Sequence, residues 1–128
     1  MNCLLDTCTF LWLCDRTENL SGAARKILEN PGNTLVLSQV SSIEIQIKYN
    51  RGKLPLTVRP EALIHDSIRR HGLEYLRLAD EHIWSTTKLP LLHGDPFDRL
   101  LIAQALHEGM MIVTPDPHIQ TYPVRTHW

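Results

Sequence analysis

Four acidic residues scattered along the chain, Asp6, Glu44, Asp98 and Asp116, each sit where an apolar run gives way to a helical pattern or where a helix begins. In an open parallel sheet the carboxyl ends of the strands line one edge and ligands bind in the crevice there. Acids at those ends therefore converge, however far apart they lie in sequence. Converged carboxylates repel one another and take up protons unless a hard cation neutralises them. Magnesium or manganese suits such an all-oxygen site. Magnesium binds at about 2.0–2.1 Å, prefers octahedral geometry and keeps several waters, so a few carboxylates and a substrate phosphate suffice. Two such ions roughly 3.5–4 Å apart can activate a water and stabilise the leaving oxygen of an in-line attack on a phosphodiester.

Each acid also has a local explanation. Asp6 can cap the helix that follows it, and Glu44, three residues after Ser41, can complete a capping box. Asp95 before Pro96 suits an N-cap, which is the role preferred for it. Asp98 falls in the first turn of the same helix, where the dipole favours an anion, and Asp116 can cap the turn Pro117 to Gln120. Taken singly, these explanations suffice. They do not explain why the acids should follow the first, second and fourth strands and open the buried helix, all on one sheet edge.

Other reactive side chains point to chemistry less strongly. The seven histidines show no metalloprotease spacing, and His93 reads as a surface or supporting group rather than a zinc ligand. Cys8 reads as a small apolar residue with no His or Asn partner to make it a nucleophile. Lys48, Arg51 and Lys53 could meet phosphate but read more simply as a solvated helix end. Trp12 is expected in the core.

The elements that must position the acids follow from the apolar pattern. Cys3 to Leu5 reads as a strand feeding a helix from Thr7 to Leu13. Ser21 caps a second helix that ends at Asn30-Pro31-Gly32, and Leu35 to Leu37 is the next strand. A helix from Ser41 to Asn50 stops at Gly52, another runs from Pro60 through Arg70, and Tyr75 to Leu78 is a third strand. After a helix around Glu81 to Thr87, Asp95-Pro96 opens the most apolar helix, Phe97 to His107. Met110 to Thr114 is the fourth strand, and Tyr122-Pro123-Val124 is the expected edge strand. Continuous aliphatic strands alternating with helices predict an α/β fold: a short parallel sheet of four to five strands covered by helices on both faces.

Composition sets the outer limits. A chain of 128 residues with 43% hydrophobic and 21% charged residues fits one ordinary domain and not a disordered segment. A net charge of −1 argues against a general nucleic-acid coating protein, though it leaves room for a local basic strip. Cys3, Cys8 and Cys14 form no readable disulfide framework, so the cytoplasm is the expected location. The apolar run after Met1 is broken at Asp6 and has no basic leader, so it is read as neither a secretory signal nor a membrane span.

Four stretches carry a family resemblance: Leu4-Leu5-Asp6-Thr7, Ser41-Ser42-Ile43-Glu44, the run His93-Gly94-Asp95-Pro96-Phe97-Asp98-Arg99-Leu100-Leu101-Ile102-Ala103-Gln104-Ala105, and Val113-Thr114-Pro115-Asp116. Together they resemble a PIN domain of the VapC toxin type over essentially the whole chain. The resemblance implies that Asp6, Glu44, Asp98 and Asp116 line a magnesium- or manganese-dependent ribonuclease site. It makes Asp95 an accessory candidate and Thr114 a hydroxyl supporting the acidic cluster. It also implies a homodimer and a small VapB-like antitoxin whose tail enters the active-site groove. The family commonly has a histidine where Cys8 stands, and this chain departs from the family pattern at that position.

Two other readings compete. One is a PIN-type nuclease of RNA processing or DNA metabolism without an antitoxin. The other is a metal-free binding module whose acids only cap helices. Other doubly wound enzymes fit less well. A phosphatase acting through an aspartyl phosphate wants a second Asp where Cys8 stands, a phosphoacceptor domain wants paired acids after the first strand, and no glycine-rich nucleotide loop follows a strand.

Overall fold

The computed structural model describes residues 1–128. In chain order the elements are β1 (Asn2–Leu5), α1 (Thr7–Asp15), α2 (Gly22–Glu29), β2 (Thr34–Ser38), α3 (Gln39–Asn50), α4 (Pro60–His71), β3 (Glu74–Leu76), α5 (Asp80–Ser85), α6 (Pro96–Glu108), β4 (Met111–Val113), α7 (Pro117–Gln120) and β5 (Thr126–His127). The five strands form one parallel sheet in the order β3-β2-β1-β4-β5.

The strands are aliphatic throughout because both faces are covered, and alternate side chains enter two separate cores. Cys3, Leu5, Leu35, Leu37, Met111 and Val113 pack with Phe10 of α1, Ala24 and Ile27 of α2, and Ile64 of α4. On the opposite face Leu4, Val36 and Ile112 pack with Leu101, Ile102 and Ala105 of α6 and Ile119 of α7. Full burial of one such Leu or Ile contributes about 1.5–3 kcal/mol, so the register Leu4↔Val36 and Leu4↔Ile112 is firmly set: a slip of one residue would exchange the two cores.

This topology creates the crevice. From the central strand β1 the chain moves outward to β2 and β3, then returns to the other side of β1 as β4. The connection leaving β1 enters α1 on the first face, whereas the one leaving its neighbour β4 enters α7 on the second. Adjacent strand ends whose connections diverge leave a gap at the carboxyl edge. Helix α3 spans that edge, with Val40 in one core and Ile45 in the other.

Several local expectations change. The fifth strand is Thr126–His127, not Tyr122–Val124: the N–H groups of Ile112 and Thr114 donate to Arg125 O (2.9 Å) and His127 O (3.1 Å). Pro123 has no N–H to offer a ladder, and Val124 N–H instead closes a tight turn onto Tyr122 O at 2.8 Å. Helix α3 starts at Gln39, capped by the Ser38 hydroxyl accepting from Val40 N–H at 2.9 Å, so Ser41 lies inside the helix and no Ser41–Glu44 capping box forms. Trp12 is only half-buried and packs against Trp128, ring centroids 5.7 Å apart. No helix is long and apolar enough to cross a membrane.

Candidate active site

At the carboxyl edge lies a cleft of about 310 Å³ whose lining includes Asp6, Glu44, Asp95, Asp98 and Asp116 together with Thr7, Cys8, Trp12 and Lys48. The four acids singled out from the sequence thus face one cavity, and Asp95 joins them.

Asp6 follows β1 and is 4% exposed. One oxygen caps α1 by accepting from Thr9 N–H at 2.8 Å; the other accepts from the Thr114 hydroxyl. Thr114, fully buried beyond β4, also accepts from Asp116 N–H at 3.0 Å, so a single hydroxyl links the two acids that leave neighbouring strands. Asp116 caps α7 through His118 N–H at 2.8 Å. Capping and site placement are therefore compatible, because a carboxylate has lone pairs enough for both.

Glu44 lies on the face of α3 that also carries Ser41 and Lys48. Thr7, at the start of α1, donates its hydroxyl to Glu44 Oε1 at 2.8 Å and lies 2.9 Å from Ser41 Oγ. The ammonium of Lys48 donates to Glu44 Oε2 at 2.7 Å. Lys48 is half-exposed in the last turn of α3, as expected of a solvated helix end, but its ammonium is paired with Glu44 at the cleft, and Thr7, which the sequence pattern does not single out, supports the acid. The available signal for Lys48 is its spacing of four from Glu44, which places an acid and a base on one helical face.

Helix α6 contributes the remaining acids. Asp95 caps it, accepting from Phe97 N–H at 2.8 Å and Asp98 N–H at 3.2 Å. Asp98, in the first turn, meets His93 Nε2 at 3.0 Å. The His93 ring stacks on His118 with centroids 4.4 Å apart and planes 6° from parallel. The backbone of His93 is clamped by the Tyr122 hydroxyl, which accepts its N–H at 3.0 Å and donates to its carbonyl at 3.2 Å. Arg99 fixes that clamp, donating to the Tyr122 hydroxyl at 3.0 Å, Pro90 O at 2.9 Å and Thr86 O at 3.0 Å. The Asp-Pro-Phe-Asp-Arg segment thus presents its acids to the cleft while its arginine ties down the preceding loop.

The crowding of negative charge changes the acids themselves. Burial pushes the Asp6 carboxyl above its usual 3.8, with the Thr114 and Thr9 hydrogen bonds opposing and the Asp116 charge reinforcing. Asp98 is raised to about 6, by burial first, then by Asp95, with the His93 bond opposing. Cys8 is pushed up to about 12 by burial and by the Asp6 and Asp116 charges, so it is a neutral thiol at physiological pH.

This donor set fits a hard divalent cation. It is all oxygen, it offers no thiolate, and two of its members bear the cost of uncompensated charge. The acids ring the cavity rather than close on one point. His93, Asp95 and Asp98 bring ligand atoms within 4.8 Å of one another, whereas no three of Asp6, Glu44, Asp98 and Asp116 do. That spacing leaves room for a divalent ion that keeps some of its waters. A second cluster, His82, His107 and Glu108, is equally compact but differs in kind. Ala79 N–H donates to His82 Nδ1 at 3.0 Å, so the ring proton of neutral His82 sits on Nε2 and points at Glu108, 2.9 Å away. A metal at that nitrogen would have to displace the proton.

Comparison with known proteins agrees with this architecture. No curated protein matches the sequence. Among solved structures, VapBC2 from Rickettsia felis, bound to a DNA fragment from its promoter, superposes with a TM-score of 0.72 at 18% identity, covering 100% of this chain and 99% of that one. DNA-bound VapBC from Salmonella typhimurium gives 0.68 at 18% identity, covering 99% and 97%. VapBC-1 from nontypeable Haemophilus influenzae gives 0.64 at 17% identity, again covering 99% and 97%. At such identities the likeness speaks for the fold. The PIN domain model matches residues 3–124, nearly the whole length, and the chain therefore belongs to the PIN domain family, a family of nucleases.

Proposed function

We propose that this protein is a magnesium-dependent endoribonuclease, with manganese as a substitute, and the toxin of a VapBC-like toxin-antitoxin pair. The observation that carries the reading is the single cleft at the β1/β4 edge into which Asp6, Glu44, Asp98 and Asp116 all face, in a chain of a nuclease family. Asp6, Asp98 and Asp116 would hold the ion, with Glu44 completing the acidic pocket. A bound divalent cation offsets the charge that builds on the phosphoryl group and lowers the pKa of an attacking water. Water adds at phosphorus, the P–O bond to the leaving nucleotide breaks, and the departing oxygen takes a proton. Asp95 and Thr114 act as accessories: Asp95 holds the start of α6, and Thr114 fixes the spacing of Asp6 and Asp116.

Residues 1–128 form one catalytic domain in this reading. The toxin assignment draws its support from the VapBC structures that share the fold, and it brings with it a VapB-like antitoxin and a homodimer. A short upstream gene encoding a DNA-binding protein, co-purifying with this one, would support the pairing. Its absence would favour a PIN nuclease of RNA processing. The direct test is incubation of the purified protein with end-labelled cellular RNAs, with magnesium or with EDTA. Cleavage should require the ion and vanish in Asp6→Ala and Asp98→Asn proteins that remain folded. Full activity in either variant would refute the site.

A further inference from the structure

Lys48 is the only positively charged side chain lining the cleft, among five carboxylates. With all six groups ionised the lining carries a net charge of −4, and one divalent ion only halves that. A phosphodiester is itself an anion, so the cavity that must receive it remains repulsive. Lys48 is placed to change this. It stands one turn beyond Glu44 on the cleft face of α3, its side chain is 51% exposed, and its ammonium reaches Glu44 Oε2 at 2.7 Å. Arg51 and Lys53, the neighbouring bases, are exposed and absent from the lining. Glu44 is held from the other side by Thr7, so it can keep its position when Lys48 turns away.

We infer that Lys48 is a substrate-binding residue of this site, whose ammonium passes from Glu44 to the phosphate of a bound RNA strand and takes the place a second cation would otherwise fill. This rests on the ribonuclease reading above. An ammonium on a flexible four-carbon stem suits such an exchange, because it acts as a strong point charge without fixed geometry. Glu44 then serves as the docking partner that keeps the cation in the cleft between substrates.

The test separates this role from a merely structural ion pair. Binding of a fluorescein-labelled single-stranded oligoribonucleotide would be followed by anisotropy across a salt series, with calcium replacing magnesium so that binding is read without cleavage. Removing one lysine–phosphate ion pair from a single-stranded complex should make the slope of log K against log[salt] shallower by about 0.7. Lys48→Met should show that change and weaker binding, and Lys48→Arg should restore the slope. Lys53→Met removes the same charge outside the cleft and should leave the slope at the wild-type value. Glu44→Gln should tighten binding by releasing the ammonium, and adding Lys48→Met to it should undo the gain. An unchanged slope in Lys48→Met, or an equal change in Lys53→Met, would overturn the inference while leaving the nuclease assignment intact. Failure of the wild-type protein to bind or cut RNA would overturn both.

Discussion

Replacing Asp98 by Asn should make the metal-free protein more stable while destroying its activity. The carboxyl of Asp98 is raised from 3.8 to about 6, by burial and by the neighbouring Asp95 charge. A group whose folded pKa is raised favours the fold while protonated. Its stabilising share is complete below the unfolded pKa and is lost as pH rises through the folded one, here between about 4 and 6. At roughly 1.4 kcal/mol per pH unit, ionised Asp98 costs the fold at most about 3 kcal/mol at neutral pH. Its side chain is 15% exposed and the cleft is open to water, so screening reduces this to the order of 1–2 kcal/mol. Asn keeps the shape and an oxygen to accept from His93, but carries no charge. In EDTA at pH 7.5 the variant should melt several degrees above wild type, and the gap should close by pH 4, as read by differential scanning calorimetry. Magnesium should raise the melting temperature of wild type and do little for the variant, because only the former gains a bound ion. A variant that melts below wild type at pH 7.5, or that gains equally from magnesium, would refute the account of the cleft as a reservoir of uncompensated charge.

Thr114→Val removes the hydroxyl joining Asp6 to Asp116. It should cost about 1–2 kcal/mol and weaken manganese binding in calorimetric titration, with Thr114→Ser restoring both. Cys8, with its thiol pushed up to about 12, should react with a maleimide at pH 7.5 far more slowly than a free thiol, read by mass spectrometry; rapid labelling of that residue would contradict the burial assigned to it. Gln104 accepts from the Ser38 hydroxyl and meets His82 Nδ1 at 3.3 Å, in a buried polar chain that continues to Glu108. Gln104→Leu should destabilise by about 1–3 kcal/mol in urea unfolding, because it leaves the hydroxyl that caps α3 without its acceptor.

Much of the architecture is legible in the sequence because burial on both faces leaves an unambiguous signature. The aliphatic runs of β1, β2 and β4, and the apolar circumference of α6, announce a covered parallel sheet before any tertiary packing is known. Strand β5 is not legible: Thr126–His127 is a polar pair held only by backbone bonds to Ile112 and Thr114, with no periodicity to read. The start of α3 is ambiguous for a similar reason. Ser38, Ser41 and Ser42 all have the chemistry of a cap, and the helix starts at Gln39 with the Ser38 hydroxyl on Val40 N–H, which leaves Ser41 inside it and free to meet Thr7.

The sequence by itself determined which acids follow which strands. The alternation of strand and helix placed Asp6, Asp98 and Asp116 at one edge, and that required only local patterns and the general geometry of parallel sheets. Tertiary structure alone decided how those acids are held and paired: Thr114 between Asp6 and Asp116, His93 clamped by Tyr122 onto Asp98, and the half-exposed Lys48 paired with Glu44 at the cleft. Hydrogen bonds and ion pairs between remote segments depend on angles and distances of a few ångströms, which a one-dimensional pattern does not encode. A hydrophobic repeat encodes the face a residue occupies, but not the partner it meets there.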